Sequence, residues 1–200
     1  MNKTKIAVFV SGGGTNLQAL IDAEKSGIIT SGEIVLVVAT NDKAYALTRA
    51  REAGIDAVVV DKKALGTQEA FELALIEVLD DYDIDVIVLA GFMTILSGDF
   101  TRRYDKRILN VHPSLIPSFC GEGYYGLRVH EEALKYGVKV TGATVHYVNE
   151  IADGGEIIMQ KAVYIQDGDT PEVLQRRVMQ EAEWQILPLA VELVSSKWRK

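Results

Sequence analysis

Asn110 and His112 close an apolar run, Ile108 to Val111, and are followed at once by Pro113. Proline has no N–H for a strand ladder, so the run reads as a short buried strand that stops at the histidine. Two residues apart in an extended chain, the amide and the imidazole project from the same face. An amide donor beside a titratable ring suits a carbonyl oxygen that becomes negatively charged during a reaction. Taken alone, the pair is equally a capped strand with a hydrogen-bonded histidine. Asp153 stands in Asp153-Gly154-Gly155, which is ordinary hairpin chemistry. Placed beside His112, its carboxylate would instead raise the imidazole's proton affinity and orient the ring.

A third candidate is Gly12-Gly13-Gly14-Thr15-Asn16, between an apolar strand and a helical pattern. Glycines let backbone N–H groups approach an anion, and a helix N-terminus favours negative charge. The Gly-Lys-Ser/Thr ending of a nucleoside-triphosphate loop is absent. Gln18 and Ala19 stand where a dinucleotide fingerprint would have its last glycine. A monophosphate or similar small anion fits the turn, and a purely structural tight turn is the alternative. His146 reads as a core or supporting histidine, and His130 as an exposed helical one. Three histidines without carboxylates at ligand spacing give little support for zinc. Cys120 lies in a loop without a nucleophile motif.

These residues need a scaffold that gathers them. Lys5–Val10, Ile34–Ala39, Ala57–Val60, Val86–Ala90 and the run ending at His112 read as five strands. Nearly unbroken Val, Leu and Ile in the second implies burial on both faces, as in a parallel sheet. Helical patterns intervene: one from Thr15 or Asn16 as cap, then Tyr45–Ala53 stopped by Gly54, and Gln68–Leu79. Leu127–Tyr136 is a further helix, stopped by Gly137. Val138–Val148 and Glu156–Ile165 read as an antiparallel strand pair. From Thr170 the chain is helical, with Pro171 at the first position and a kink or break expected at Pro188. The fold class is therefore α/β: an open, mostly parallel twisted sheet of about seven strands, Rossmann-like in its N-terminal half, with an antiparallel C-terminal strand pair and a C-terminal helix. Ligands in such sheets bind beyond the C-terminal strand ends. The glycine loop, the loop Gly91–Leu96 and the Asn110/His112 pair all lie there.

Composition narrows the partners. Two hundred residues suit one domain, here taken as 1–200, and the formal charge of −7 argues against nucleic acid. A single cysteine, Cys120, excludes an internal disulfide and fits a reducing cytosol. The apolar run Ile6–Val10 behind the basic start is too short for a signal core, and no stretch has the length of a membrane span.

The motifs Ser11-Gly12-Gly13-Gly14-Thr15-Asn16-Leu17-Gln18, Leu89-Ala90-Gly91-Phe92-Met93, Ile95-Leu96-Ser97, Asn110-Val111-His112-Pro113-Ser114-Leu115 and Asp153-Gly154-Gly155 carry a resemblance over essentially the whole chain. The sequence resembles the phosphoribosylglycinamide formyltransferases, a folate-dependent formyltransferase family of purine synthesis. The resemblance implies formyl transfer from 10-formyltetrahydrofolate, as cosubstrate and without a metal, to the amine of glycinamide ribonucleotide. It implies Asn110, His112 and Asp153 as the catalytic trio. Gly13, Gly14, Thr15 and Asn16 would hold the substrate's phosphate, and Glu183 its glycinamide end. Met93, Thr94, Ile95 and Leu96 with Ile151 and Ala152 would line the folate pocket. It further implies small-molecule partners only, a cytoplasmic location, and a monomer or homodimer. His130 matches a recurring histidine without a defined role. Three positions depart from the family pattern: Thr94 where arginine is common, Trp184 where histidine is usual, and a longer loop, Ser118–Tyr125. A formyltetrahydrofolate hydrolase would share the trio but carries an additional N-terminal domain, whereas this sequence starts at the first strand. A transfer-RNA formyltransferase would want a basic module. A non-catalytic metabolite-binding protein would not need all three of the trio.

Overall fold

The apolar runs pair into one seven-stranded sheet of order β3-β2-β1-β4-β5-β6-β7. The computed structural model describes residues 2–199; Met1 and Lys200, the ends of the expected domain, lie outside the described residues. In chain order the first half comprises β1 (Thr4–Val10), α1 (Thr15–Lys25), β2 (Gly32–Ala39), α2 (Ala46–Ala53) and β3 (Asp56–Val59). Then come α3 (Lys62–Leu65), α4 (Gln68–Asp81), β4 (Val86–Leu89), α5 (Gly98–Arg103) and β5 (Ile108–His112). The rest is α6 (Leu127–Tyr136), β6 (Val140–Tyr147), β7 (Ile157–Tyr164), α7 (Pro171–Val178), a π-helical turn (Met179–Glu183) and α8 (Trp184–Trp198).

β1 to β5 run parallel, and β6 and β7 add antiparallel at one end. Alternation along the parallel strands feeds two cores. Ile6, Val8 and Val10 of β1 face a core shared with α1 and α8, whereas Ala7 and Phe9 face one shared with α4 and α5. β2 carries one extra residue opposite the Ile6/Ala7 step, which is why Ile34 and Val37 reach the same core. The strand order reverses beside β1, where β2 lies on one side and β4 on the other. That is the switch point at which such sheets open a crevice.

Three local expectations are revised, and two short helices are added. Neither Thr15 nor Asn16 caps α1: Gly14 is the N-cap, at φ 71°, with no side-chain cap. The Asn16 side chain is used instead on Glu183. The short helices α3 and α5 lie in stretches too brief to show a helical period; Asp61 and Ser97 cap them with side-chain oxygens. α8 continues through Pro188, and the irregularity sits upstream, in the π-helical turn. His130 is fully buried in α6 rather than exposed.

Gly155 fixes how the β6–β7 connection passes the site. A Cβ there would stand 1.7 Å from the Tyr147 carbonyl oxygen, a backbone atom with nowhere to go, since Tyr147 N–H also bonds Glu156 O at 2.9 Å. Only glycine lets the Asp153 turn close against β6. Gly155→Ala is expected to lower stability in urea unfolding by at least the roughly 1–3 kcal/mol of an overpacked interior. It should also lower activity, because Asp153 is two residues away.

Candidate active site

The site forms where β1, β4 and β5 end. β5 pairs with β6 so that Asn110 lies opposite His146 and His112 opposite Thr144. Asn110 and His146 are thus a cross-strand pair, with Asn110 Nδ2 3.2 Å from His146 Nε2. His146 Nδ1 donates to the Tyr147 carbonyl at 2.8 Å, which leaves Nε2 facing Asn110 and Asp153. A one-residue shift in the β6–β7 register falls beside His146, re-aiming the strand next to the site.

Asp153 comes from the turn after β6, at φ 54°. Its Oδ2 stands 3.4 Å from His112 Nδ1 and accepts from Gly121 N at 2.9 Å; its Oδ1 stands 3.5 Å from His146 Nε2. Burial pushes its carboxyl upward, but the His146 ring, the His112 charge and the Gly121 N–H together outweigh it and hold the proton affinity below the ordinary range. His112 Nε2 donates to Phe119 O at 2.9 Å. Both nitrogens of His112 therefore face oxygen acceptors, an arrangement that only the doubly protonated ring satisfies. Burial is the larger effect on this ring and pushes its pKa below the ordinary value; Asp153 and the Phe119 carbonyl pull it upward without restoring it. The expectation that Asp153 raises the imidazole is met in sign but loses to burial in size.

Two hollows meet at this trio. The larger, about 470 Å³, runs from Gly13–Asn16 past Met93 to Asn110, His112 and Asp153, with Glu183 in its wall. The smaller, about 140 Å³, is a slot lined by Thr94, Ile95, Leu96, Ile151 and Ala152 that also reaches Asn110 and Asp153. Every residue given a catalytic, substrate or folate role in the sequence thus lines one hollow or the other. Met93, grouped with the slot in the sequence, lies on the larger hollow instead. Glu183 is buried and accepts from Asn16 Nδ2 at 2.8 Å, so it is tied to the start of α1. Burial pushes its carboxyl upward, against the Asn16 hydrogen bond.

Other contributors left no sequence signal, because they act through backbone groups or shape. The Phe119 carbonyl and the Gly121 N–H, both in the long loop after β5, hold His112 and Asp153. Phe119 packs on Tyr124 and Tyr136, so the loop lies over the site with an aromatic anchor on α6. Tyr124, Tyr125, Gln175 and Met179 complete the larger hollow. Thr94 lines the slot as well as a neighbouring hollow, and Trp184 buries its indole N–H without a partner among the described residues.

A mostly parallel sheet opened at its switch point, with an amide, an imidazole and a carboxylate converging where two hollows meet, defines an α/β enzyme. The formyl transferase family model matches residues 4–191, and the chain belongs to that family. It is 42% identical over 188 residues to a phosphoribosylglycinamide formyltransferase of Haemophilus influenzae, covering 94% of this chain and 85% of that protein. It is 46% identical to the chicken trifunctional purine biosynthetic protein adenosine-3, over 98% of this chain but 19% of that protein. The chain thus spans about a fifth of the length of the trifunctional relatives it matches. The crystal structure of glycinamide ribonucleotide transformylase 1 from Symbiobacterium toebii superposes with a TM-score of 0.90 at 42% identity, covering 98% of this chain and 89% of that one. Among the described residues no helix is long and apolar enough to cross a membrane.

His130 makes the site sensitive to acid. Both its ring nitrogens are buried without partners among the described residues, and burial lowers its pKa from 6.5 to about 4, with the His112 charge adding to the shift. The unfolded chain binds this proton near pH 6.5 and the folded chain only near pH 4. The stability contributed by the neutral ring is therefore complete above about 6.5 and lost as pH falls toward about 4. Melting temperatures measured across that window should fall less steeply for His130→Phe than for the native protein. Parallel curves would assign the acid sensitivity elsewhere.

Proposed function

We propose that residues 1–200 act as one formyltransferase unit. It moves the formyl group of 10-formyltetrahydrofolate to the primary amine of glycinamide ribonucleotide, a step of de novo purine biosynthesis. The observation that carries this reading is the meeting of two separate hollows at Asn110 and Asp153. A group-transfer enzyme needs donor and acceptor held on either side of the reacting atoms, in near-attack geometry. The larger hollow begins at the glycine loop, which suits the ribonucleotide's phosphate. The slot, with Ile95, Leu96, Ile151 and Ala152, suits the flat ring of a reduced folate.

In this reading the amine attacks the formyl carbon, and the carbonyl π pair moves onto oxygen. Asn110 Nδ2 and His112 Nε2 donate to that oxyanion, the ring exchanging the Phe119 carbonyl for the stronger, charged acceptor. The oxyanion's charge offsets the burial that lowers the proton affinity of His112. Asp153 favours the imidazolium and, directly or through water, carries the proton lost by the attacking nitrogen toward N10 of the folate. The C–N10 bond then breaks, releasing tetrahydrofolate and the formylated ribonucleotide. Asn16, with the glycine loop, holds the substrate's phosphate, and Glu183 contacts its glycinamide end. The partners are small molecules, the place of action is the cytoplasm, and the chain works as a monomer or homodimer.

Formyl transfer assayed with both substrates tests the activity itself. The trio divides its labour in a way that pH exposes. Asn110→Ala removes one neutral donor to the oxyanion and should lower kcat about a hundred- to a thousandfold without moving the pH–rate profile. Asp153→Asn keeps the shape but removes the charge that raises His112. It should slow turnover by about a hundred- to ten-thousandfold and move the His112 limb to lower pH. An Asp153→Asn enzyme with native rate and profile would reduce Asp153 to a turn residue.

A further inference from the structure

The glycine loop is shaped by its carbonyls. Each of the four carbonyl oxygens from Ser11 to Gly14 is drawn into a bond with its surroundings. Ser11 O accepts from Asn41 Nδ2 at 3.0 Å and Gly12 O from Ala46 N at 3.2 Å. Gly13 O accepts from Arg49 Nε at 2.9 Å and Gly14 O from Gln18 N at 2.9 Å. The amides of Gly12, Gly13 and Gly14 have no partner among the described residues, and Gly13 and Gly14 line the larger hollow. With acceptors tied back and consecutive donors free, the loop is an anion-binding concavity continuous with the start of α1.

Three of those four ties come from backbone or neutral side chains. Arg49 is the exception. Its second arm, Nη1, donates to Gln18 Oε1 at 2.9 Å, and its guanidinium lies 5.1 Å over the Tyr45 ring. The head group is therefore fixed by a planar fork and a stacked ring rather than swinging in solvent. The α2 start that carries it is pressed against the loop: a Cβ on Gly14 would stand 2.7 Å from Ala46 Cβ. No lysine or arginine lines the larger hollow, whereas Asp153 and Glu183 do. A phosphate there would meet neutral amides and two acidic side chains within a chain of charge −7.

We propose that Arg49 is the positioning residue of the phosphate site: from behind the loop it turns the Gly13 carbonyl away from the anion and supplies a fixed positive charge. It does not touch the substrate. The proposal rests on the reading of this loop as the phosphate subsite, and it accounts for how an acidic protein binds a dianion without a cation in the cleft wall.

The test separates phosphate recognition from stability. Arg49→Met should raise the KM for glycinamide ribonucleotide by about ten- to a hundredfold, the scale of a hydrogen bond to a charged group, with a much smaller change in kcat. For the corresponding riboside, which lacks the phosphate, kcat/KM should hardly change, so the native preference for the phosphorylated substrate shrinks. Arg49→Lys keeps the charge but cannot bridge Gly13 O and Gln18 Oε1 as a fork, and should fall between the two. Inorganic phosphate, followed by calorimetry, should bind the native chain more tightly than either variant. That measurement needs no turnover, so it judges Arg49 even if the proposed reaction is not observed. Equal losses for ribonucleotide and riboside, or unchanged phosphate affinity in Arg49→Lys should Arg49→Met not fold, would overturn the assignment.

Discussion

The site hangs on one carboxylate withdrawn from water. An unpaired buried charge is costly, and the cost is met only when several partners converge on it. Asp153 takes His112 from β5, His146 from β6 and the Gly121 amide from the covering loop, while its own turn is closed by Gly154 N on Ile151 O. β5 with the loop that follows it, and β6 with the turn that follows it, are therefore held in register by one side chain. Such a cluster adds little to global stability, because desolvation offsets most of the attraction. What it sets is geometry: the ring of His112, the face of Asn110 and the path of the loop are specified together.

The sheet makes this convergence inexpensive in conformational terms. Parallel strands with helices on both faces leave their C-terminal ends as the one edge where loops gather. The switch point beside β1 opens a crevice there, and the antiparallel β6 brings His146 directly opposite Asn110. Two hollows result rather than one because the β5 end, with Asp153 folded onto it, stands between them as a partition. Asn110 and Asp153 stand on that partition, so a ligand on either side reaches them.

The strands, most helices and the polar residues of the site were legible in the sequence because each leaves a local trace. Unbroken Val, Ile and Leu mark buried strands; Gly54 and Gly137 mark helix ends; Asn110 and His112 share a strand face. What was not legible depends on tertiary context. His130 has the same helical neighbours whether it faces water or the core, so its burial is invisible until α6 is docked. The Phe119 carbonyl and the Gly121 N–H belong to every residue type alike. Arg49 is an ordinary helical arginine until α2 is pressed on the glycine loop. The relative weights on His112 were also hidden, since a neighbouring carboxylate can be guessed from a motif but the loss of solvent cannot.

The helix that carries Glu183 shows how a local defect serves the site. Pro188 has no N–H, so the Trp184 carbonyl lacks its usual i+4 donor. α8 nevertheless runs from Trp184 to Trp198 unbroken, packing Leu187, Val191 and Val194 into the core. The departure from α geometry lies in the wide turn Met179–Glu183, between α7 and α8. Such turns insert a residue and rotate the helix before them relative to the helix after them. Met179 and Glu183, at the two ends of this one, both reach the larger hollow, while Ala182 stays in the core. The segment thus lines the cleft and fills the core at once, and Asn16 secures the buried Glu183 side chain to the start of α1, beside the glycine loop.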